Sequence, residues 1–469
     1  MKVYFIGIGG IGMSGVAGIA KELGLEVYGS EDKELYPPAS QLLKELHIEV
    51  LKASEENLLL HKPDLIVVGN AIKRDHPEVI KAVEMKIPIL SFPEFIERYL
   101  LSEKKSLVVA GTHGKTTTAS LLSYLLDALG EDPSFLVGGL IKNYNRNFHL
   151  GKRPWFVLEG DEYPSAFFNS NPKFLHYKPY ALILTSLEYD HIDVYKSFYN
   201  LKEAFKNLIQ LIPSQGILLY CYDELELRNL IQEISPSCKI LSYGQTEGSD
   251  YQLLNYELSF ETKTFLSRGI IRDPFGEKFE LILPLPGFYN LLNALGVIAL
   301  LEHLGLERKR ILPAFLKFKG VKRRQEILSV NEKYLLIDDF AHHPTAVRLT
   351  LRELKEAYKP NKTILFFEPR TNSSKRKIFQ ESYRESLSLA DVIFLKPPPG
   401  LVSIPEEERI NLWQLIEGLN QAGKIAHILE NTVSIKNLLS FAEEKNLIVF
   451  MSSAYMKEQI EVVWEVLGV

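Results

Sequence analysis

Short runs of β-branched and aliphatic residues alternate with longer amphipathic segments along most of this chain. This pattern is typical of parallel sheets whose strands are connected by helices. In the first hundred or so residues, the apolar runs are found at 3–6, 26–28, 65–68 and 87–90. Later runs that follow the same alternation are found at 107–110, 155–158, 181–184, 334–337, 363–367, 392–395 and 447–451. The pattern therefore predicts an α/β fold throughout.

Two breaks divide this alternation into three blocks. The polar stretch 102–105 predicts a linker, and a third series of strands begins around Lys322. Between residues 251 and 283, alternating runs flank the turn residues 272–276, which indicates a small antiparallel sheet inside the second block. We therefore expect three domains, which comprise residues 1–104, 105–321 and 322–469.

Composition and charge restrict the class of protein. The chain of 469 residues is 46% hydrophobic and 24% charged, as expected for a soluble protein with sizeable cores. Its 54 basic and 59 acidic residues give a net charge of −5, so we expect no nucleic-acid or membrane partner. The chain has only two cysteines and no apolar stretch near the ~20 residues of a membrane span. We therefore expect a cytoplasmic, monomeric enzyme.

The most specific motif is a glycine-rich loop between an apolar run and a helix-like segment. Backbone N–H groups of such a loop, with the positive end of the following helix, bind phosphate oxygens. Lys115 can reach the β- and γ-phosphates of ATP, and the Thr116 hydroxyl can bind Mg²⁺. The predicted ATP-binding residues of this loop are Gly111, Thr112, His113, Gly114, Lys115, Thr116 and Thr117. The alternative is a glycine turn that contains an incidental lysine.

A second glycine-rich loop, at residues 7–12, follows the first predicted strand and opens a helix. Its G-x-G-x-x-G pattern lets a diphosphate approach the backbone at a helix N-terminus. Glu31 and Asp32 lie about twenty residues further on, where a carboxylate can meet a ribose hydroxyl. A dehydrogenase that binds NAD is one interpretation, and a purely structural turn is another. Because ATP already has a candidate site at Lys115, the loop can instead hold the diphosphate of a nucleotide-linked substrate.

Polar side chains follow two further predicted strands of the second block. Glu159 comes directly after the run 155–158, so its carboxylate should emerge at the strand end beside the phosphate loop. Hard oxygen ligands suit Mg²⁺, which makes Glu159 a candidate metal ligand together with Thr116. His191 follows the run 181–184 in a D-H-x-D context. The alternatives are a solvated carboxylate and a hydrogen-bonded structural histidine.

Together these motifs resemble the Mur ligases, the ATP-dependent peptide-forming ligases of bacterial cell-wall synthesis. The supporting segments are 9–12, 111–118, 159–162, 188–193, 290–293, 323–324 and 338–344. Segments 36–38, 69–71, 162–168, 173–177 and 368–372 resemble one branch in particular. That branch joins UDP-N-acetylmuramate to the tripeptide L-Ala-γ-D-Glu-meso-diaminopimelate in cell-wall recycling. The sister branch, which adds L-alanine to the same nucleotide sugar, shares the general motifs and resembles these segments less.

The resemblance implies three domains and a reaction. The domains are a Rossmann-like N-terminal domain, a central P-loop ATPase-like domain with a parallel sheet plus a small antiparallel sheet, and a Rossmann-like C-terminal domain. In the reaction, ATP phosphorylates a carboxylate, and an amine then displaces phosphate from the acyl phosphate. Because the first step brings two anions together, cations must neutralise their approach, and Lys115, Mg²⁺ and an arginine can do so.

The resemblance also implies roles for individual residues. The implied catalytic residues are Lys115, Glu159, His191 and Arg324, with His191 at a second Mg²⁺ and Arg324 at the γ-phosphate. Asn290 and Asn293 share one helix face and are implied in adenine recognition, and Asp339 in ribose binding. The implied UDP-sugar site comprises Gly9, Gly10, Ile11, Gly12, Ser14, Glu31 and Asp32. The implied peptide site comprises Arg370, Asn372 and His343, in which Arg370 can pair with a carboxylate.

Two departures from the family pattern keep other functions open. Tyr289 stands where the family usually has a histidine before Asn290, and residues 452–456 replace a turn that is usually rich in glycine. The main hypothesis is the tripeptide-adding ligase, and the nearest alternative is the L-alanine-adding ligase. A module that senses UDP-muramate or ATP without forming a bond is an alternative of another class. The retention of Lys115 and Glu159 argues against it.

Overall fold

The computed structural model describes residues 1–429, 435 and 445–468. Within this described part, three large sheets follow one another along the chain, and helices cover them. This arrangement confirms the predicted α/β fold class. The predicted boundaries 104/105 and 321/322 fall between the sheets, and we propose them as the domain limits; the predicted end at 469 lies outside the described residues. None of the described helices has the length and apolar character needed to cross a membrane.

The first block forms a five-stranded sheet whose strands are all parallel. The strands are β1 Lys2–Ile6, β2 Glu26–Glu31, β3 Glu49–Lys52, β4 Leu65–Val68 and β5 Ile89–Ser91. The helices are α1 Ile11–Glu22, α2 Ala39–Glu45, α3 Glu56–His61, α4 Pro77–Glu84 and α5 Phe92–Tyr99. The order β3-β2-β1-β4-β5 reverses between β1 and β4. The loop after β1 therefore lies at the switch point, where open α/β sheets bind ligands.

The second block is built on a ten-stranded sheet. Its strands, and those of a two-stranded hairpin, are β6 Lys105–Ala110, β7 Ser134–Ile141, β8 Arg146–His149, β9 Trp155–Gly160, β10 Pro164–Ala166, β11 Asn169–Pro172, β12 Ala181–Leu184, β13 Ile217–Cys221, β14 Lys239–Gly244, β15 Tyr251–Glu261, β16 Thr264–Arg272 and β17 Lys278–Leu283. The helices are α6 Lys115–Ala128, α7 Phe198–Gln210, α8 Leu225–Ile234, α9 Phe288–His303 and α10 Arg308–Phe315, with a 3-10 helix at Lys173–Tyr177.

The antiparallel strands of the second block differ from the sequence expectation in one respect. The order of the large sheet is β17-β16-β15-β14-β13-β12-β6-β9-β7-β8. Strand β16 pairs antiparallel with both β15 and β17, as predicted, but β15 pairs with β14 in parallel. They therefore extend the main sheet at its edge and do not form a separate small sheet.

The third block carries a six-stranded sheet in the described residues. Its strands are β18 Glu326–Val330, β19 Tyr334–Asp339, β20 Lys362–Glu368, β21 Val392–Leu395, β22 Ile425–Ile428 and β23 Asn446–Ser452. The described helices of three or more residues are α11 Pro344–Tyr358, α12 Gln380–Leu387, α13 Leu412–Gln421 and α14 Lys457–Leu467, with 3-10 helices at Lys377–Phe379 and Leu401–Ser403. The order is β18-β19-β23-β20-β21-β22, and only β18 at the edge is antiparallel to its neighbour.

The centre of the molecule is the sheet around β6, whose apolar residues are buried on both faces. Strands covered by helices on both sides need continuous apolar runs, which explains the sequence of residues 107–110. In the register of this parallel sheet, Ala110 lies opposite both Gly160 of β9 and Leu184 of β12. The segments that follow β6 and β12, and the carboxyl end of β9, therefore meet at one edge of the sheet.

Candidate active site

The phosphate loop lies between β6 and α6, as the sequence predicts. Its conformation requires glycine at two positions. Gly111 has a φ of +137°, and a Cβ there would lie 2.3 Å from the Thr185 hydroxyl oxygen. Gly114 has a φ of +81° and immediately precedes the helix that begins at Lys115. The loop backbone and the helix N-terminus therefore form an anion-binding site.

Lys115 is held in this loop by groups that follow two neighbouring strands, β6 and β9. Its Nζ donates to the Gly111 carbonyl at 2.6 Å and lies 3.0 Å from the carboxylate of Glu162. Burial acts to lower the pKa of Lys115, but the carboxylates of Glu162, Asp161 and Glu159 outweigh it and raise that pKa above its usual value. The lysine is therefore a fixed cation beside the phosphate loop.

Glu159 lies beside the phosphate loop, as predicted, and is in direct contact with Thr116. The Thr116 hydroxyl donates to Oε1 of Glu159 at 2.7 Å, and Oε2 of Glu159 accepts the Gly138 N–H at 2.6 Å. Arg324 of the third block reaches the same point, because its Nη2 donates to Thr116 Oγ1 at 2.9 Å. A hydroxyl and a carboxylate at this distance are hard oxygen donors of the type that Mg²⁺ prefers.

His191 lies in the same site and contacts residues for which the sequence predicted no role. Its Nε2 is 2.8 Å from Glu162 Oε1, and its Nδ1 is 2.9 Å from the Tyr163 hydroxyl. Burial lowers the pKa of His191, but the neighbouring Glu162 and Asp190 outweigh burial and raise it. His191 also adopts a φ of +55°, a conformation that non-glycine residues occupy at some energetic cost. Glu162 thus joins His191 to Lys115.

A further cluster joins the phosphate loop to the third block through Glu188. One oxygen of Glu188 is 2.8 Å from His113 Nε2, and the other accepts the Thr345 hydroxyl at 2.8 Å. His343, at the start of α11, lies 3.8 Å from the first oxygen. Burial raises the pKa of Glu188, but the hydrogen bond and the charge of His113 outweigh burial and lower that pKa to about 2. Glu188 is therefore ionised and links residues predicted for ATP and for peptide.

The residues predicted for adenine and ribose lie on α9 and at the end of β19. Asn290 and Asn293 are both buried on one face of α9, and Asn290 Nδ2 donates to Gln325 Oε1 at 2.9 Å. Asp339, at the end of β19, accepts the backbone N–H of Gln325 and that of Ala341, each at 2.7 Å. The segment that connects the second and third blocks is thus fixed between the predicted adenine and ribose residues.

The glycine loop of the first block faces the cleft that contains the phosphate loop. Glu31 bends back over it, and its Oε2 accepts the Gly9 N–H at 2.8 Å. Asp32 is directed to His76, 3.4 Å away. Ser14 is fully buried inside α1, where its hydroxyl donates to the Ile11 carbonyl at 3.1 Å. Of the residues predicted for the UDP-sugar, Gly10, Ile11 and Gly12 line the cleft directly.

Two of the predicted peptide residues lie after β20 in the third block. Arg370 has a side chain that is 42% exposed, and its Nη1 lies 3.4 Å from Glu368. Asn372 Nδ2 donates to Asp193 Oδ2 of the second block at 2.9 Å, two residues from His191. The third predicted residue, His343, lies apart from these two in the Glu188 cluster.

The three blocks enclose one cleft of about 940 Å³ around these groups. Its lining includes residues from all three blocks, among them Gly10, Lys115, His191, Asn293 and Arg324. Lys173 also lines it: its Nζ lies 2.5 Å from Asp161 and 5.2 Å from the ring centre of Phe92. The sequence predicted no role for Glu162, Lys173 and Glu188, although they belong to segments that carry the family resemblance, because their partners are distant along the chain.

Comparison with known families identifies the class of protein. The family descriptions "Mur ligase family, catalytic domain", "Mur ligase middle domain" and "Mur ligase, glutamate ligase domain" match residues 2–104, 109–301 and 323–454, respectively. The chain therefore belongs to the Mur ligase family, and it is an ATP-dependent ligase that forms C–N bonds.

Individual relatives divide between two activities. The chain is 35% identical to UDP-N-acetylmuramate–L-alanine ligase of Carboxydothermus hydrogenoformans, over 97% of this chain and 94% of that one. It is 34% identical to UDP-N-acetylmuramate–L-alanyl-γ-D-glutamyl-meso-2,6-diaminoheptandioate ligase of Escherichia coli, over 91% and 89%. The crystal structure of UDP-N-acetylmuramate–alanine ligase of Thermotoga maritima superposes with a TM-score of 0.81, at 26% identity and 99% coverage of both chains.

Proposed function

We propose that this protein joins the lactyl carboxylate of UDP-N-acetylmuramate to the α-amine of the tripeptide L-Ala-γ-D-Glu-meso-diaminopimelate through an acyl phosphate. The observation that carries the proposal is the location of the segments that resemble the tripeptide-adding branch. Tyr163 hydrogen-bonds to His191, and Lys173 lines the catalytic cleft. Asn372 contacts Asp193, beside His191. Segments that resemble the tripeptide-adding branch thus supply side chains around the candidate catalytic groups.

The phosphates of ATP are proposed to bind at the loop 111–117. The loop N–H groups and Lys115 would hold the β- and γ-phosphates, and Arg324 would neutralise charge on the γ-phosphate as it is transferred. Two observations support this assignment: Lys115 donates to the Gly111 carbonyl of the loop, and Arg324 donates to Thr116. Asn290 and Asn293 are proposed to bind adenine and Asp339 the ribose, because they line the same cleft.

The oxygen donors of the site fit Mg²⁺. Thr116 and Glu159 are proposed to hold one ion, and His191 a second. When bound, Mg²⁺ would stabilise negative charge on the phosphoryl oxygens. The residues themselves contribute positioning: Glu162 holds Lys115 and His191 together, and the Gly138 N–H fixes the second oxygen of Glu159.

The UDP-sugar is proposed to bind at the first glycine loop. Gly9, Gly10, Ile11 and Gly12 would hold its diphosphate at the N-terminus of α1. Glu31 and Asp32 lie beside this loop and would meet ribose or base. Ser14 would act from inside the helix by fixing the first turn, since its hydroxyl is bonded to the Ile11 carbonyl.

The tripeptide is proposed to bind on the third block. The exposed guanidinium of Arg370 can pair bidentately with a carboxylate of the diaminopimelate end. Asn372 can bond an amide or amine beside it. His343 lies deeper, at the phosphate loop, and would line the path of the incoming amine.

A second candidate function is the addition of free L-alanine to the same nucleotide sugar. The match to the alanine ligase of Carboxydothermus hydrogenoformans over 97% of this chain favours it. The two activities share ATP, the nucleotide sugar and the acyl phosphate. They differ only in the amine that completes the reaction, so the amine is what an experiment must vary.

Phosphate release from ATP and UDP-N-acetylmuramate tests the proposal, with the tripeptide, L-alanine or no amine added. We expect the tripeptide to give the highest kcat/KM and a product whose mass is that of the amide. A higher kcat/KM with L-alanine would contradict the tripeptide assignment and support the second candidate. No amine-dependent product with either would contradict both.

A further inference from the structure

A carboxyl group from the third block is buried against the first turn of helix α9. Glu353 of α11 is only 5% exposed, and its Oε1 accepts the Tyr289 N–H at 3.0 Å. The approach to the backbone is close, because a Cβ at Gly287 would lie 1.9 Å from Oε2 of Glu353. Gly287 also has a φ of +110°. Glycine at 287 is therefore needed both for the turn and for the contact with Glu353.

This contact provides a side-chain hydrogen-bond acceptor at the start of α9. The helix begins at Phe288, and no side chain of its own N-cap residue accepts a hydrogen bond. The first N–H groups of a helix need acceptors, and a carboxyl oxygen can supply one. Glu353 supplies the acceptor from a different block of the chain. The first turn of α9 is thus capped only when the third block lies against the second.

The same turn carries residues of the proposed nucleotide site. Asn290 lies one residue after Tyr289, and both line the central cleft. Asn290 donates to the Gln325 side chain, and that side chain also hydrogen-bonds to Glu353. Gln325 belongs to the segment that connects the two blocks. The carboxyl of Glu353, the amide of Gln325 and the amide of Asn290 therefore form one continuous network.

The surroundings of Glu353 contain few compensating charges. The charged or titratable groups around it are Glu356, Arg348 and Arg352 on its own helix, the phenol of Tyr289 on α9 and the phenol of Tyr256 on β15. Burial raises the pKa of Glu353 to about 8, against the opposing effect of its hydrogen bonds. When the third block moves away, the carboxyl gains water and its pKa returns toward the ordinary range.

We propose that Glu353 is a positioning residue for the nucleotide, which couples ATP binding at Asn290 to the docking of the third block on the second. The proposal rests on the proposed function in one respect, since it takes the first turn of α9 as the adenine side of the ATP site. Glu353 itself is not proposed to touch the reacting atoms. It holds the turn that does the binding.

The sign of the pH dependence follows from the two states of the carboxyl. At pH 6.5, Glu353 carries a proton when buried and has lost it when exposed to water. A nucleotide that favours docking therefore takes up as much as one proton per molecule. Raising the pH toward about 8 weakens docking, and above that value both states are ionised and the effect ends. Because of this coupling, the affinity for the nucleotide should fall by up to about tenfold for each unit of pH increase, until the pH reaches about 8.

Isothermal titration of the full chain with AMP-PNP and Mg²⁺ tests the proposal. Titrations between pH 5.5 and 8.5, each in two buffers of different ionisation enthalpy, give the number of protons bound. Glu353→Gln removes the titrating group but keeps an oxygen that can accept the Tyr289 N–H. Glu356→Gln, three residues further along the same helix and exposed, is the matched control. Melting temperatures show whether each variant folds. If Glu353→Gln does not fold, Glu353→Ala replaces it.

We expect proton uptake near pH 6.5 in the wild type and in Glu356→Gln, and its loss in Glu353→Gln. The affinity ratio of wild type to Glu353→Gln should fall as the pH rises to about 8 and then level off. Binding without proton uptake in the wild type, or equal uptake in Glu353→Gln, overturns the positioning role while leaving the ligase function intact. If the wild type does not bind AMP-PNP at all, the nucleotide site and the proposed function fail together.

Discussion

At the residue scale, the site depends on cations held in place by buried carboxylates. Lys115 and His191 both contact Glu162, which is 1% exposed. A buried carboxylate would be costly alone, but the Lys115 ammonium and the hydrogen bond to His191 compensate for the loss of water. The result is a preorganised positive charge beside the phosphate loop, which is what the transfer of a phosphoryl group to a carboxylate requires.

Removal of the lysine side chain should stop the chemistry and spare sugar binding. Lys115→Ala is expected to lower kcat for phosphate release by at least about 100-fold, since a fixed charge at the transferred group is lost. Binding of UDP-N-acetylmuramate, measured by calorimetry, should stay unchanged because the first glycine loop is in another block. Lys206→Ala is the control, as that lysine on α7 pairs with Glu233 at the surface. A near wild-type rate in Lys115→Ala would contradict the assignment.

Arg370 offers a separate test, at the peptide side. Its side chain is 42% exposed, so it can pair with an incoming carboxylate. Arg370→Ala should raise the KM of the tripeptide about tenfold or more while the KM of ATP stays constant. Arg384→Ala serves as the control, because that side chain is similarly exposed in the same block and pairs with Glu381. An unchanged KM for the tripeptide would remove Arg370 from the peptide site.

At the element scale, the active groups follow the carboxyl ends of neighbouring parallel strands. Gly111 follows β6, Glu159 is in the last part of β9, and His191 is in the loop after β12. The apolar runs that form strands, and the phosphate loop, were predicted from the sequence because apolar periodicity and glycine spacing are local signals. The strand β3 was missed, since its sequence Glu-Val-Leu-Lys has only two apolar residues. Strand β5 begins at Ile89, two residues later than predicted.

Helix α5 shows how one local motif stabilises an element near the junction of the first two blocks. The Ser91 hydroxyl accepts the Glu94 N–H, and Glu94 accepts the Ser91 N–H, which is a capping box. Ser91→Ala should lower the stability of the first block by about 1 kcal/mol. Urea unfolding followed by circular dichroism measures it. The exposed Ser214→Ala should have no effect, and equal stability of both variants would contradict the role of the cap.

At the scale of the whole molecule, side chains of the third block complete a site that the second block begins. Arg324 bonds Thr116 of the phosphate loop, and Thr345 bonds Glu188. The nucleotide and peptide residues lie on different blocks, so catalysis requires the blocks to come together. Ligand binding and the docking of the third block should therefore be coupled.

This coupling should be visible as protection of the segment that connects the second and third blocks. Trypsin cleaves after lysine and arginine, and residues 322–324 supply three such sites, all partly buried. We expect AMP-PNP with Mg²⁺ to slow cleavage there several-fold, because a bound triphosphate adds contacts to Arg324 and favours the docked arrangement. Mass spectrometry of the fragments measures it.

An internal control is cleavage after Lys309, whose side chain is 78% exposed and lies on α10, away from the cleft. Its rate should not depend on the nucleotide. Equal rates at 322–324 with and without AMP-PNP would contradict the coupling, and equal slowing at both places would indicate inhibition of the protease.

The sequence by itself determined the fold class, the phosphate loop and the position of Glu159 at a strand end beside that loop. These follow from short-range rules: apolar periodicity makes strands, glycines make the loop, and parallel strands bring their carboxyl ends to one edge. Only the tertiary structure decided that Glu162 joins Lys115 to His191, that Glu188 joins the phosphate loop to Thr345, and that Glu353 caps α9. The physical reason is that the role of each carboxylate depends on its burial and on partners far away in sequence. Neither is known until the blocks pack together.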